Sequence, residues 1–223
     1  MTLPPELLEK TSDFDFYNLD MHLNDKQRAT RQKVREWVQN SVLPRINPYW
    51  EKAEFPWEIA RELPELGIVG GPLIGMDFIE LGLVMYELAK GDGSITTFYG
   101  VHSGLALGSI ALLGSEEQKA RWLADMMAVK KIGAFGLTEP NVGSNAVGVQ
   151  TSARRDGDSY ILNGAKRWIG NAAIADLLII WARDEDGKFG GFVIEDPRET
   201  PGVTISNIGG KVGKQALRAQ RRY

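Results

Sequence analysis

Near residue 132 the hydrophobic pattern changes period, and that change constrains the fold more than any other feature of the chain. Before it, apolar residues recur at helical spacing, as in Val34, Trp37, Val38 and Val42 between a start at Asn24 and a stop at Pro44. After it come short runs, "IGAFGL", "GVQTSARR", "SYILNGAKRWI", "DLLIIWAR", "GGFVIE" and "VTISNI". They are punctuated by Asp156-Gly157, Asn163-Gly164 and Asp186-Gly187, pairs that favour hairpin turns. Helices followed by strands make an α+β arrangement, here an N-terminal helical bundle and then an antiparallel β-barrel or sandwich. The implied boundaries are a helical domain over 1–131, a β domain over 132–210 and an aberrant basic tail over 211–223.

Five helices fit the first part. Asn24 with Gln27 forms a capping box for the first. The second opens at Pro56, buries Ile59, Leu63 and Leu66, and closes at Gly67. The third runs from about Phe78 to Ala89 and ends in the Gly91-Asp92-Gly93 breaker; Ser115 and Gln118 cap the fifth, which buries Trp122, Leu123, Met126 and Met127. Between them, Ser94–Ser115 carries no charge and exceeds the roughly 18 residues that can cross a bilayer. Thr96, Thr97, His102, Ser103 and Ser109 interrupt it, and Gly100, Gly104 and Gly108 recur every four residues. That pattern favours a central helix buried nearly all round over a membrane span, with His102 as a hydrogen-bonded core or pocket-edge residue.

The chain has 223 residues, 43% hydrophobic and 25% charged, with a net charge of −3, an ordinary soluble composition without the positive field that nucleic acid requires. The tail is the exception, with Lys211, Lys214, Arg218, Arg221 and Arg222 and no acid among them. With no cysteine and only His22 and His102, metal chemistry is not expected. The start, "MTLPPELLEKTSDFDFYNLD", lacks the pattern of a signal peptide and is expected to lie as an arm over the fold. Cytoplasm is the default compartment, with mitochondrial matrix and peroxisome as alternatives.

At the seam sits "GLTEPNVGS", Gly136 to Ser144. One reading is a loop capped by Glu139 and stiffened by Pro140. The other is a ligand turn, with hydroxyls at Thr138 and Ser144 and a close backbone approach at Gly143, able to hold phosphate without a basic side chain. In "NGAKRWIGN", Trp168 follows an expected hairpin turn at Asn163-Gly164, and its indole either fills a core or covers an aromatic ligand.

Together "FGLTEPNVGS" and "KRWIGN" resemble the signature motifs of the acyl-CoA dehydrogenase and oxidase family. The resemblance continues through "VREWVQNSVLPRINPYWEKAEFP", "YELAKGDGS", "LGSEEQKARWL", "ILNGAKRWIGNAAIADLLIIWAR" and "GGFVIE". It implies FAD between the helical and β domains, contacted by Phe135, Gly136, Leu137, Thr138, Gly143 and Ser144 on one side and by Trp168, Ile169 and Gly170 on the other. It also implies an acyl-CoA substrate passing Ser144, loss of a proton and a hydride to give a trans-2-enoyl-CoA, and electron-transfer flavoprotein or oxygen as acceptor. The family's base is a glutamate in a C-terminal helical domain, which is expected to be missing here, so the chain is expected to be truncated and weakly active or inactive; a non-catalytic CoA-ester or partner-binding remnant is the alternative. A homo-oligomer is compatible with the family.

Several positions depart from the resemblance. "YELAKGDGSITT" is similar to the glutaryl-CoA dehydrogenase branch, but Thr96 stands where an arginine would bind a second carboxylate. A monocarboxylic, short- or medium-chain acyl group is therefore implied, with Thr96 and Thr97 in its pocket. The segment Gly75–Leu83 is short for the family, which affects the pocket wall. Gly170 replaces a hydroxyl residue and is similar to plant short-chain acyl-CoA oxidases, which keeps oxygen open as acceptor. Gln215 stands where arginine is expected, and the tail reads as a departure from the family's frame.

Overall fold

The computed structural model describes residues 19–209, 213–214 and 219–221, the last three for their backbone alone. The expected N-terminal arm, Lys211, Gln215, Arg218 and Arg222 lie outside the described residues.

Helix α1, Asp25–Trp37, continues through a wide turn, Val38–Val42, to the stop before Pro44. Asn24 accepts from the Gln27 N–H and Gln27 returns the bond, so the expected capping box is present. A helix not expected from the sequence follows, α2 at Ile46–Lys52, closed by Ala53 in the left-handed region. The expected second helix is broken into α3, Trp57–Ala60, and a tight turn, Leu63–Leu66. Pro64 explains the break: it offers no N–H and its ring crowds the carbonyl four residues back. Phe78 starts α4, Phe78–Gly91, on a second capping box between Asp77 and Glu80. Much of the segment expected to be a shortened connection is therefore helix. Gly91 is needed for close approach, because a Cβ there would lie 2.8 Å from Val38 Cγ1.

Only Asp92 separates α4 from α5, Gly93–Leu113; its carboxylate accepts from the Ser94 N–H at 2.6 Å. Helix α5 is long and apolar enough to cross a membrane by length and composition. It buries Ile95, Phe98, Tyr99, His102, Ala106, Leu107 and Ile110, but Leu105, Leu112 and Leu113 are exposed, so it is not buried all round. Helix α6, Glu116–Met127, has the expected Ser115–Gln118 box and returns the chain to the seam.

The strands are β1 (Gly133–Gly136), β2 (Ser152–Asp156), β3 (Ser159–Asn163), β4 (Arg167–Gly170), β5 (Leu177–Arg183), β6 (Phe189–Glu195) and β7 (Ala219–Arg221). The pairing is mixed, not wholly antiparallel. β6 lies antiparallel along the whole of β5, so β1 and the end of β2 share its other edge, both parallel to it. Hairpins form at Asp156-Gly157, joining β2 to β3, and at the loop containing Asp186-Gly187, joining β5 to β6. Asn163-Gly164 is not a hairpin turn, since β3 pairs with β2 whereas β4 pairs antiparallel with β7. Gly164 is required for packing: a Cβ would fall 2.4 Å from Thr151 Oγ1 and 2.7 Å from Thr151 Cα.

Alternation along β5 divides its side chains. Leu177 and Ile179 join the helical core, while Leu178, Ile180 and Ala182 join a second core with Ala153 and Ile169. β5 is thus the wall between two cores, and its edge carries β1 and the bend that follows.

Candidate functional site

The bend leaves β1 at Gly136 and is fixed by Glu139. Glu139 and Val142 exchange backbone hydrogen bonds, at 2.9 and 3.3 Å. The Glu139 carboxylate is buried, 5% exposed, and accepts from the N–H groups of Gln150 and Thr151, the Thr151 hydroxyl and the Lys166 ammonium. Burial pushes this carboxyl up, but those donors outweigh it and hold its pKa at about 2. Glu139 is therefore an anchor for the bend.

Strand β4 delivers the second motif to the same place. The Arg167 N–H donates to the Thr138 carbonyl at 2.8 Å, which ties the two motifs together directly. Trp168 has φ +65°, in the left-handed region that bulky residues avoid, and is 59% exposed. That conformation breaks strand alternation, leaving Lys166 buried and Trp168 outward although both have the same parity. The Arg167 guanidinium lies 4.6 Å from the indole centroid, a cation–π contact on one face. On the other face a ring ligand can stack without displacing Arg167.

The remaining residues singled out in the sequence fall into three groups. Phe135 is half-buried, its ring 5.6 Å from that of Trp181, and Gly136 is a packing glycine whose Cβ would meet Ile180 Cδ1 at 2.7 Å. Ile169 is in the second core, and Gly170 lies against Val101, where a Cβ would approach Cγ2 to 3.0 Å. Gly143 and Ser144 are exposed, and a Cβ on Gly143 would meet nothing within 4 Å, so no atom of the described residues claims that space. Thr96 and Thr97 are half-buried on α5, with their hydroxyls donating to the Asp92 and Gly93 carbonyls. Their helix reaches β4 through Asn171, whose amide donates to the carbonyls of Phe98 and Gly133, at 3.2 and 3.3 Å.

His102 and Asp92 are also engaged. The Gly133 N–H donates to His102 Nδ1 at 3.0 Å, which puts the proton on Nε2, bonded to the Met126 carbonyl at 2.9 Å. Burial lowers the pKa of His102 to about 4, against the opposing pull of Met126, so it is a neutral clasp between α5, α6 and β1. Asp92 caps α5.

Sequence reasoning missed Lys166, Arg167, Val101 and Asn171. A lysine in "NGAKRW" reads as a solvated charge, and its burial arises from partners brought by β1 and β5.

The site offers an exposed flat indole, an open stretch of backbone at Gly143 and hydroxyls at Thr138 and Ser144 with no acceptor among the described residues. That donor set fits a planar heteroaromatic ring carrying phosphate.

Comparisons with known proteins point the same way. The family models described as acyl-CoA dehydrogenase, N-terminal domain, and acyl-CoA dehydrogenase, middle domain, match residues 24–130 and 134–222. A probable acyl-CoA dehydrogenase of Bacillus subtilis is 33% identical over 204 residues, 87% of this chain and 54% of its own length. The short-chain specific acyl-CoA dehydrogenase of Clostridium acetobutylicum is 33% identical over 208 residues, 89% of this chain and 54% of its own. A glutaryl-CoA dehydrogenase from Mycobacterium smegmatis, solved with FADH2, superposes with a TM-score of 0.87 at 37% identity, covering 93% of this chain and 54% of that one. Butyryl-CoA dehydrogenase from Megasphaera elsdenii superposes with a TM-score of 0.80 at 31% identity, covering 90% and 55%. The chain spans about half the length of these relatives.

Proposed function

Because the chain belongs to the acyl-CoA dehydrogenase family, we propose that the face shared by the bend and β4 holds FAD, beside which a short- or medium-chain acyl-CoA is oxidised to its 2-enoyl thioester. The observation that carries this reading is the Arg167–Thr138 bond, which sets an outward indole beside unpaired donors on the bend. The chemistry FAD supplies when bound is two-electron oxidation, with acceptance of the hydride. Trp168 would cover the ring, Thr138 and Ser144 would bind its polar edge and phosphates, and Ser144 would also lie along the path of the thioester. Thr96 and Thr97 themselves carry no charge to pair with a second carboxylate, which is the support for a monocarboxylic acyl group; the Lys214 side chain lies near Gly93, one turn before them.

Proton abstraction is the step these residues do not supply. Glu139, Asp92 and His102 are each engaged in structural hydrogen bonds, so none is free to act as the base. Turnover by this chain alone is accordingly weak. Val101 lies against Gly170, and both electron-transfer flavoprotein and oxygen stay open as acceptor.

Titration of the purified chain with FAD tests the reading. A flavin spectrum that shifts on saturation and is lost in Trp168→Ala is the expected outcome; a chain that leaves the FAD spectrum unchanged contradicts it. Robust oxidation of butyryl-CoA by the chain alone contradicts the assignment of weak turnover.

A further inference from the structure

Lys166 is a buried lysine, 7% exposed, and all three protons of its ammonium are used. It donates to the Glu139 carboxylate at 2.8 Å, to the Leu137 carbonyl at 3.1 Å and to the Trp181 carbonyl at 2.6 Å. The two carbonyls reveal its position. The parallel register of β1 and β5 runs from Gly133 opposite Leu177 to Gly136 opposite Ile180 and stops there. One step further, Leu137 would lie opposite Trp181, and the Thr138 N–H would donate to the Trp181 carbonyl.

That rung is not made. The Trp181 carbonyl accepts from the ammonium instead, and so does the carbonyl of Leu137. In a trans peptide the C=O and the following N–H point in opposite directions, so a Leu137 carbonyl turned toward Lys166 sends the Thr138 N–H away from it. The Thr138 N–H has no acceptor among the described residues, and neither does the Thr138 hydroxyl. The Thr138 carbonyl is held separately by the Arg167 N–H, so the residue is pinned on both sides.

We propose that Lys166 is a positioning residue of the flavin site: its ammonium wedges open the β1–β5 ladder, turning the Leu137–Thr138 peptide so that the Thr138 N–H faces the ring. This rests on the FAD reading above. The peptide is also polarised, because a cation bound to its carbonyl makes its N–H a stronger donor. Glu139 serves the wedge by neutralising it, and without that carboxylate an ammonium at this depth would be costly to bury.

The test compares Lys166→Met with the natural chain in two measurements, FAD affinity and hydrogen exchange at the Thr138 amide. In the natural chain the Thr138 amide exchanges freely without FAD and becomes protected when FAD binds. In Lys166→Met the rung closes, so the amide is protected without FAD, and FAD binds at least tenfold more weakly. The double variant Glu139→Gln, Lys166→Met leaves no buried charge at this site and behaves as Lys166→Met does, which covers the case in which the single variant fails to fold. Since the chain has no cysteine, Lys166→Cys alkylated with bromoethylamine during refolding restores an ammonium at that position alone, and with it both the free amide and the affinity. Unchanged FAD affinity with an unchanged Thr138 amide overturns the inference, as does a protected Thr138 amide in the natural chain without FAD. A natural chain that binds no FAD overturns the functional reading instead, while the amide pattern still judges the wedge.

Discussion

Two buried ion pairs lie in the two halves of the molecule, and they do different work. In the helical half Glu87 on α4 meets Arg31 at 2.8 Å and Arg35 at 3.1 Å, both on α1, with Lys90 at 3.8 Å and Arg31 also paired to Asp20. The bonds that Glu87 accepts from Arg31 and Arg35 run from side chain to side chain, and they join one helix to another. In the strand half Glu139 and Lys166 spend most of their hydrogen bonds on backbone groups of the bend, β5 and the loop before β2. The first pair holds elements together; the second sets the direction of individual peptides. The lesson is that burial of a charge pair does not by itself reveal its purpose, but its partners do.

The comparison predicts a large global effect on one side. Glu87→Ala leaves Arg31 buried without its main carboxylate and should cost about 3–5 kcal/mol, read as a lowered denaturant midpoint for the whole chain. Glu139→Gln keeps one accepting oxygen but leaves the Lys166 ammonium buried without its counter-charge and sets an amide NH2 where a carboxylate oxygen accepted, so it should cost about 3 kcal/mol, the lower end of that range. FAD affinity should nonetheless fall about tenfold. Equal stability losses with unaffected FAD binding would erase the distinction between the pairs.

Acid sharpens the same contrast. His102 titrates near 4 when folded and near 6.5 when unfolded, so the unfolded chain binds the proton first. Stability falls as pH drops below about 6.5, by up to about 1.4 kcal/mol per unit, until the folded pKa is reached. Glu139 has a depressed folded pKa of about 2, so its contribution is intact above the ordinary carboxylate range and is lost as pH falls through that range toward 2. Urea titrations at a series of pH values should therefore show loss in two windows, and His102→Gln should flatten the upper one. Persistence of the upper slope in that variant would remove His102 as its source.

Smaller effects follow from the glycines. Gly164→Ala forces a Cβ into Thr151, at 2.4 Å from its hydroxyl, and should cost about 1–3 kcal/mol by thermal melting. Gly170→Ala meets only the tip of Val101, so a loss of about 1 kcal/mol or less is expected.

Local chemistry was legible in the sequence. Asn24 with Gln27, Ser115 with Gln118, and the Asp156-Gly157 and Asp186-Gly187 turns act within a few residues of themselves, so spacing and residue type were enough to place them. Pro64 was legible too, but its effect on the second helix was passed over. What stayed hidden depends on contacts distant in sequence. The parallel pairing of β1 with β5 is set by packing across the seam, and alternation put Lys166 and Trp168 on one face until the left-handed backbone at Trp168 separated them. The bend and the indole could be singled out as motifs; the hydrogen bond from Arg167 to Thr138 that unites them could not.

The most direct measurement of the central claim is FAD titration of the 223-residue chain, followed by quenching of Trp168 fluorescence against a Trp168→Phe control. Saturable quenching that belongs to Trp168 and is weakened about tenfold by Lys166→Met is the expected result. Binding of equal strength in Trp168→Ala, or no quenching assignable to Trp168, would contradict it.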